Sequence, residues 1–324
     1  PTDISCFGEL DGSITAMPSG GAGTYTYMWS NGGTGSTIGN LAQGNYTVTV
    51  TDAAGCTATA EAAVIEPPEL LLSVDITDVI CAGNNSGVII ATATGGTPPY
   101  EYSAGGVNFQ SDPNLGGLFA GTYDAVVRDS RGCITTATAT ITEPPPLFVD
   151  AGEDQTIDLG YTAGIDAIIT PLGHPVTISW NPSETLDCTD CPDPTAMPTG
   201  TTTYRITVTD AGGCSATDSV TINVIIIRPV YIPNAFSPNN DGLNDFFTVY
   251  GGPAARRVRQ LKIFDRWGEL VFDGTDLPLN SEPSGWNGFF KGKEMDPAVF
   301  AYFAEVEFID GVVVLYEGDL TIIR

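Results

Sequence analysis

Gly44-Asn-Tyr-Thr-Val-Thr-Val-Thr-Asp-Ala-Ala-Gly-Cys56 decides the fold class. Tyr46, Val48 and Val50 alternate with Thr47, Thr49 and Thr51. This period of two puts apolar side chains on one face of a β-strand and hydroxyls on the other. Asp52-Ala-Ala-Gly55 then predicts a tight turn, and Thr57-Ala-Thr-Ala-Glu-Ala-Ala-Val64 a return strand. The wording recurs as Gly121-Thr-Tyr-Asp-Ala-Val-Val-Arg-Asp-Ser-Arg-Gly-Cys133 and as Thr202-Thr-Tyr-Arg-Ile-Thr-Val-Thr-Asp-Ala-Gly-Gly-Cys214. Tyr and Cys stand ten positions apart in all three copies, which repeat at 77 and 81 residues. That period predicts separate modules rather than a solenoid. The expected fold is all-β: tandem β-sandwich modules arranged as beads on a string.

Proline clusters mark the expected boundaries: Glu66-Pro-Pro68, Glu143-Pro-Pro-Pro146 and Arg228-Pro229. They divide the chain into modules 1–68, 69–146, 147–228 and 229–324, joined by short stiff linkers into a rod. Composition agrees with a turn-rich β protein: 38 Gly, 23 Pro and only 16% charged residues in 324. The net charge of −27 is unevenly placed, since three of the 12 basic residues but 25 of the 39 acids precede Arg228. Such a polyanion repels nucleic acid and anionic lipid, so nucleic-acid binding is excluded. No apolar run approaches the roughly 20 residues of a membrane span. With no initiator Met and no signal peptide, the chain is expected to be the C-terminal portion of a longer precursor whose export signal lies upstream.

Two resemblances sharpen this. Cys6-Phe-Gly-Glu-Leu-Asp-Gly12 and Cys81-Ala-Gly-Asn-Asn-Ser-Gly87 open the first two copies, and a Gly-Gly-x-x-x-Tyr-x-Tyr pattern follows near Gly20–Tyr27 and at Gly95–Tyr102. This resembles the SprB-type repeat of Bacteroidetes surface adhesins. The third copy, with Trp180-Asn-Pro and Cys188-Thr-Asp-Cys191, is closer to a PKD-like or immunoglobulin-like module. The Tyr after Gly-x resembles a tyrosine corner, although Cys lies too far along to be an antibody-type inter-sheet cysteine. At the end of the chain, Tyr231-Ile-Pro-Asn-Ala-Phe-Ser-Pro-Asn-Asn-Asp-Gly-Leu-Asn-Asp-Phe-Phe247, Leu261-Lys-Ile-Phe-Asp-Arg-Trp-Gly-Glu-Leu-Val-Phe272, Trp286-Asn-Gly288 and Gly318-Asp-Leu-Thr-Ile-Ile-Arg324 are similar to the gliding-motility-associated C-terminal domain. That domain is the type B sorting signal of the type IX secretion system. The resemblance implies export, a place at the cell surface attached to the outer membrane, and handling by the secretion machinery and an outer-membrane anchoring partner.

Seven cysteines suggest one disulfide inside each of the first two modules, Cys6–Cys56 and Cys81–Cys133. Cross-linking suits a small module with a marginal core in an oxidising compartment, at about 4 kcal/mol for a loop of this size. Cys188, Cys191 and Cys214 cannot all pair, so the third module is expected to hold a staple and a leftover thiol. A zinc role for Cys188 and Cys191 is disfavoured because no second ligand pair exists, and a redox role because the implied setting is extracellular.

Among small sites, Asn239, Asp241, Asn244 and Asp245 alternate oxygen-bearing side chains around Gly242. This makes them candidate calcium ligands, against the simpler reading of a self-capping turn. Tyr25, Tyr27 and Trp29 share a strand face and are either a carbohydrate platform or sandwich core. Arg256, Arg257, Arg259, Lys262 and Arg266 form the one basic cluster. No catalytic constellation is visible, and the sole histidine, His174, precedes a proline in a turn-like run. No cofactor other than calcium is expected. The sequence therefore reads as the non-catalytic end of an adhesin with a carbohydrate or other surface ligand. The open alternatives are the stalk of a secreted hydrolase and a self-associating extracellular fibre.

Overall fold

The Tyr46 strand and its two counterparts each form the middle of a sheet in the computed structural model, which describes all residues except Leu172, His174 and Arg324. Alternating Thr and Val suit a pleated surface that is buried on one side only. The described residues form β-strands joined by turns, with one short 3-10 helix at Glu282–Ser284 and no α-helix. They divide into two compact units, Pro1–Pro146 and Leu147–Arg324.

In the first unit, Gly44–Thr51 pairs with Thr26–Trp29 on one side and Thr57–Val64 on the other. The facing sheet is Gly12–Thr15 paired with Thr37–Leu41. Ile14, Trp29, Ile38, Leu41, Val48 and Val64 fill the space between them. The next module repeats the plan. Gly121–Arg128 lies between Ile134–Ile141 and Glu101–Ala104, facing a sheet in the order Leu71–Thr77, Gly87–Thr94, Asn114–Leu118. Its core includes Leu70, Ile89, Leu115, Val127 and Ile141. The tyrosine-corner expectation has its counterpart here, since Tyr46 Oη donates to the Ala42 carbonyl and Tyr123 Oη to that of Phe119, each four residues upstream.

In the second unit, Thr202–Asp210 sits between Val176–Asn181 and Ser215–Ile225, and Gln155–Asp158 adds in parallel at the edge. Trp180, Tyr204, Ile206, Val208, Val220 and Ile222 form that core. The last five-stranded sheet runs Ala235–Phe236, Val313–Ile322, Val299–Phe308, Ala255–Phe264, Leu270–Leu277. Ala235–Phe236 pairs in parallel with the closing strand, so both sides of its C-terminal end are occupied. The junction at Arg228-Pro229 is also packed, unlike an extended linker. Arg228 pairs with Asp310 and lies 5.4 Å from the Phe308 ring centroid, and Leu159 of the preceding module is buried in the core of the last one.

Candidate functional site

The recurring Asp-x-x-Gly turn has one geometry at every occurrence. Asp52 Oδ1 accepts the amides of Ala54 and Cys56, Asp129 Oδ1 those of Arg131 and Cys133, and Asp210 Oδ1 those of Gly212 and Cys214. Sequence comparison missed a fourth copy: Asp265 Oδ1 accepts the amides of Trp267 and Glu269 in the last module. Only the cysteine is replaced there, by glutamate; the Asp-x-x-Gly spacing itself was the available signal. In the first module Asp52 Oδ2 also accepts the Ala22 amide, and this bond is the leading cause of a carboxyl held below its ordinary range, followed by that from Cys56. Each turn therefore presents the residue after its glycine at a fixed place.

The cysteines at these turns do not close loops within their own modules. Cys6 is bonded to Cys133, with Cα atoms 5.7 Å apart, and Cys56 is an exposed free thiol. The expected Cys6–Cys56 and Cys81–Cys133 pairs are thus corrected. The reason lies in strand length. Gly8 N–H donates to Glu66 Oε1 and Ile4 N–H to the Ile65 carbonyl, which pins the Cys6 loop at the downstream end of Thr57–Val64. Cys56 lies at the other end of that strand, about 26 Å away at 3.3 Å per residue, whereas a disulfide spans about 4.4–6.8 Å between Cα atoms. Gly83 N–H likewise donates to Glu143 Oε2, placing Cys81 at the far end of Ile134–Ile141 from Cys133. What the Cys6 loop does reach is the turn of the next module. Arg131 Nη1 donates to the Ile4 carbonyl and Cys133 Sγ lies 3.3 Å from the Ser5 carbonyl oxygen. Cys81 is disulfide-bonded.

In the third module Cys188 and Cys191 are bonded to each other, so neither is a thiolate ligand. Cys214 is disulfide-bonded as well, so the expected leftover thiol is not in this module. His174 lies outside the described residues.

The Asn239–Asp245 oxygens are largely turned onto the loop's own backbone. Asp245 Oδ1 accepts the amides of Asn239 and Asn240, and its Oδ2 that of Gly242. Asn239 Oδ1 accepts the Asp241 amide, and Asp241 Oδ1 that of Leu243. A cation here would have to share these oxygens. Among the described residues no group of three or more His, Cys, Asp or Glu side chains is gathered in a metal-binding arrangement. Two of the three stripe aromatics belong to the core: Trp29 is buried with Nε1 donating to the Gly35 carbonyl, and Tyr27 packs against the same cluster, whereas the Tyr25 hydroxyl donates to the Gly20 carbonyl at the surface.

The basic cluster of the last module is partly neutralised. Arg257 pairs with Glu307 and Asp276, and Arg256 with Glu307. Arg257 is the main cause that holds Glu307 below its ordinary range. Lys262 lies 5.9 Å from the Phe303 centroid and Arg266 5.7 Å from that of Trp267. Trp267, at the tip of the fourth Asp-x-x-Gly turn, is 83% exposed. It borders a concavity of about 440 Å³ also lined by Arg266, Phe290, Lys291, Met295 and Phe300. An exposed Trp beside cations is a surface suited to protein contact rather than to chemistry.

Residues 230–315, which carry this surface, match the CHU_C Type IX secretion signal domain. A type IX secretion signal closes the chain. Residues 1–34 and 73–105 match the SprB repeat, so the first two modules are SprB repeats and the protein is a secreted, cell-surface protein with a C-terminal sorting signal. No curated protein matches the chain. Among solved structures it is similar to the N-terminal eight Ig domains of Down Syndrome Cell Adhesion Molecule, at 15% identity over 96% of this chain and 45% of that one, with a TM-score of 0.35. It is also similar to a tetra-tandem repeat of a large adhesion protein (16% identity, 92% and 91% covered, TM-score 0.30) and to the I9–I11 tandem of titin (14%, 78% and 98%, 0.39). The chain spans less than half the length of the first of these. No helix among the described residues is long and apolar enough to cross a membrane.

Proposed function

We propose that this chain is the C-terminal portion of a large cell-surface adhesin. The two SprB repeats and the third module form its non-catalytic stalk, and the type IX signal domain both directs export and holds the protein at the outer membrane through an anchoring partner. The observation that carries the reading is the order of SprB repeats followed by a type IX secretion signal in one chain. The acidic surface of the stalk suits a projecting, soluble segment. Calcium at Asn239, Asp241, Asn244 and Asp245 is a secondary proposal, tested by calorimetric titration with and without Asp245→Ala. The main test is a periplasm-targeted fluorescent passenger fused to residues 230–324 or 147–324, in a host with a compatible system. Export of the fusion and cell-surface retention of the passenger are expected; a passenger that stays inside overturns the assignment.

A further inference from the structure

The first module differs from the second at one sheet edge. In the second, Leu71–Thr77 pairs with Gly87–Thr94 and packs over Ile134–Ile141, burying Leu70 and half-burying Leu72 and Val74 against the core. In the first, Thr2 and Ser13 bond to each other as Thr77 and Val88 pair in the second, and the matching strand goes no further. The side of Gly12–Thr15 away from Thr37–Leu41 is open beyond Ser13. Ser13 N–H points to that side and Ala16 N–H to the other, so alternation places the Thr15 and Met17 amides on the open side. Beneath it lies a groove of about 440 Å³ lined by Ile14, Ala16, Trp29, Val48, Ala58 and Ala60. Ala58 and Ala60 are exposed, whereas their counterparts Thr135 and Ala137 are half-buried.

The glycines at the mouth of the groove point to the same occupant. In the second module a Cβ on Gly95 would meet the Glu69 carbonyl oxygen at 1.8 Å, and Gly96 N–H donates to the Pro68 carbonyl. Gly-Gly is required there because the incoming chain passes against its backbone. The first module keeps the pair as Gly20-Gly21, both with positive φ, yet nothing lies within 4 Å of a Cβ on Gly20. Beside this groove stands Cys56, on the same Asp-capped turn by which Cys133 holds the opening loop of the module before it. Neither opening-loop cysteine of this chain is available to it, since Cys6 and Cys81 are both disulfide-bonded.

We infer that the first module is a seat for a further module of its own kind, placed upstream in the same polypeptide. The chain leading into Pro1 runs as a strand along Gly12–Met17, with apolar residues at alternate positions filling the groove as Leu70, Leu72 and Val74 do. The upstream module's opening-loop cysteine bonds to Cys56. In forming that bond the Cys56 thiolate attacks a disulfide-bonded donor, and the partner thiolate then displaces it. Two thiols lose two protons and two electrons, and the donor disulfide leaves as a dithiol. The inference rests on the stalk reading only for the source of the module, and its tests do not involve export.

Two experiments test it. The first is peptide mapping, without reduction, of the full-length precursor isolated from the cell surface after alkylation under denaturing conditions. A Cys56 peptide linked to a cysteine-bearing opening loop upstream of Pro1 is expected. Cys56 recovered as the alkylated thiol, or linked to a second copy of the chain, overturns the inference. The second is hydrogen exchange on the present chain extended before Pro1 by a copy of Glu66–Asp75, compared with the same extension bearing Asp at the places of Leu70, Leu72 and Val74. The apolar extension is expected to slow exchange at Thr15 and Met17 by about tenfold or more relative to the Asp version, as for an amide brought into a sheet. Equal exchange with both extensions overturns the strand.

Discussion

Cys6 and Cys133, separated by 127 residues, are covalently joined across the boundary between the two SprB repeats. The bond bridges the linker Glu66-Pro-Pro68, because Glu66 fixes the Cys6 loop at the downstream end of one module and Pro68 meets Gly96 near the Asp129 turn of the next. By the chain-entropy argument, closing a loop of this size restricts the unfolded chain by about 5 kcal/mol.

Cys6→Ser is therefore expected to lower the stability of the first two modules by about 2–5 kcal/mol. Reductant should produce a loss of similar size in the parent and a smaller one in the variant. Denaturant unfolding of both proteins, with and without dithiothreitol, measures this. Unchanged midpoints in all four conditions would show that the bond is absent or without consequence.

The last module should depend on its neighbour. Leu159 is fully buried in the core formed by Phe236, Phe247, Val258 and Trp286. Leu159→Ala is expected to cost about 2–5 kcal/mol, as for other buried leucines, and the loss should appear in the transition of the C-terminal module. Calorimetry of residues 147–324 and 230–324 provides the companion measurement, and the shorter piece should melt lower.

The fourth Asp-x-x-Gly turn gives a local test. Asp265→Ala removes an acceptor from the amides of Trp267 and Glu269 at an exposed hairpin tip. A loss of about 1–2 kcal/mol is expected, in the range of a lost side-chain cap. Trp267→Ala, by contrast, should leave stability within about 0.5 kcal/mol, since that ring is mostly in solvent. Thermal melts of the two variants distinguish the turn's framework from its display.

Acid should weaken the fold from below the ordinary carboxylate range. Asp52 is held down first by the Ala22 amide, Asp187 by the Thr195 amide, and Glu307 by Arg257. A carboxylate with a depressed folded pKa binds fewer protons folded than unfolded, so its contribution is complete above the unfolded value and disappears as pH falls through the folded one. The melting temperature is expected to be level from about pH 7 to 5 and to fall below about pH 4. A melting temperature that holds level or rises below that point would count against these assignments.

Much of the fold was legible because the alternation in Tyr46–Thr51, Tyr123–Arg128 and Tyr204–Thr209 reports a half-buried strand directly. The turns were legible for a similar reason, since Asp and Gly are local determinants. The cysteine pairing was not. Matching positions in two repeats identifies equivalent cysteines but says nothing about which end of a module each occupies. The eight-residue strand between Cys56 and Glu66 held the answer, because its length separates the two cysteines by more than a disulfide can reach. The burial of Leu159 in the neighbouring core was equally hidden, since one leucine in a loop carries no periodicity. The Asn239–Asp245 run shows the limit of composition: oxygen-rich side chains around a glycine suit a cation and a self-bonded turn alike.

The cross-link between Cys6 and Cys133 also sets the route by which tension travels. A pull applied at Pro1 and Pro146 passes from the first six residues through the sulfur bridge to the last thirteen, which include the strand Ile134–Ile141, and the chain between the two cysteines lies on a slack branch beside it. Drawn fully straight at about 3.4 Å per residue, the reduced segment could lengthen to about 490 Å, and the oxidised one to only about 70 Å. Oxidation thus converts a segment that would unravel under load into a tether of short, fixed reach, with the chain between the two cysteines carrying none of the force.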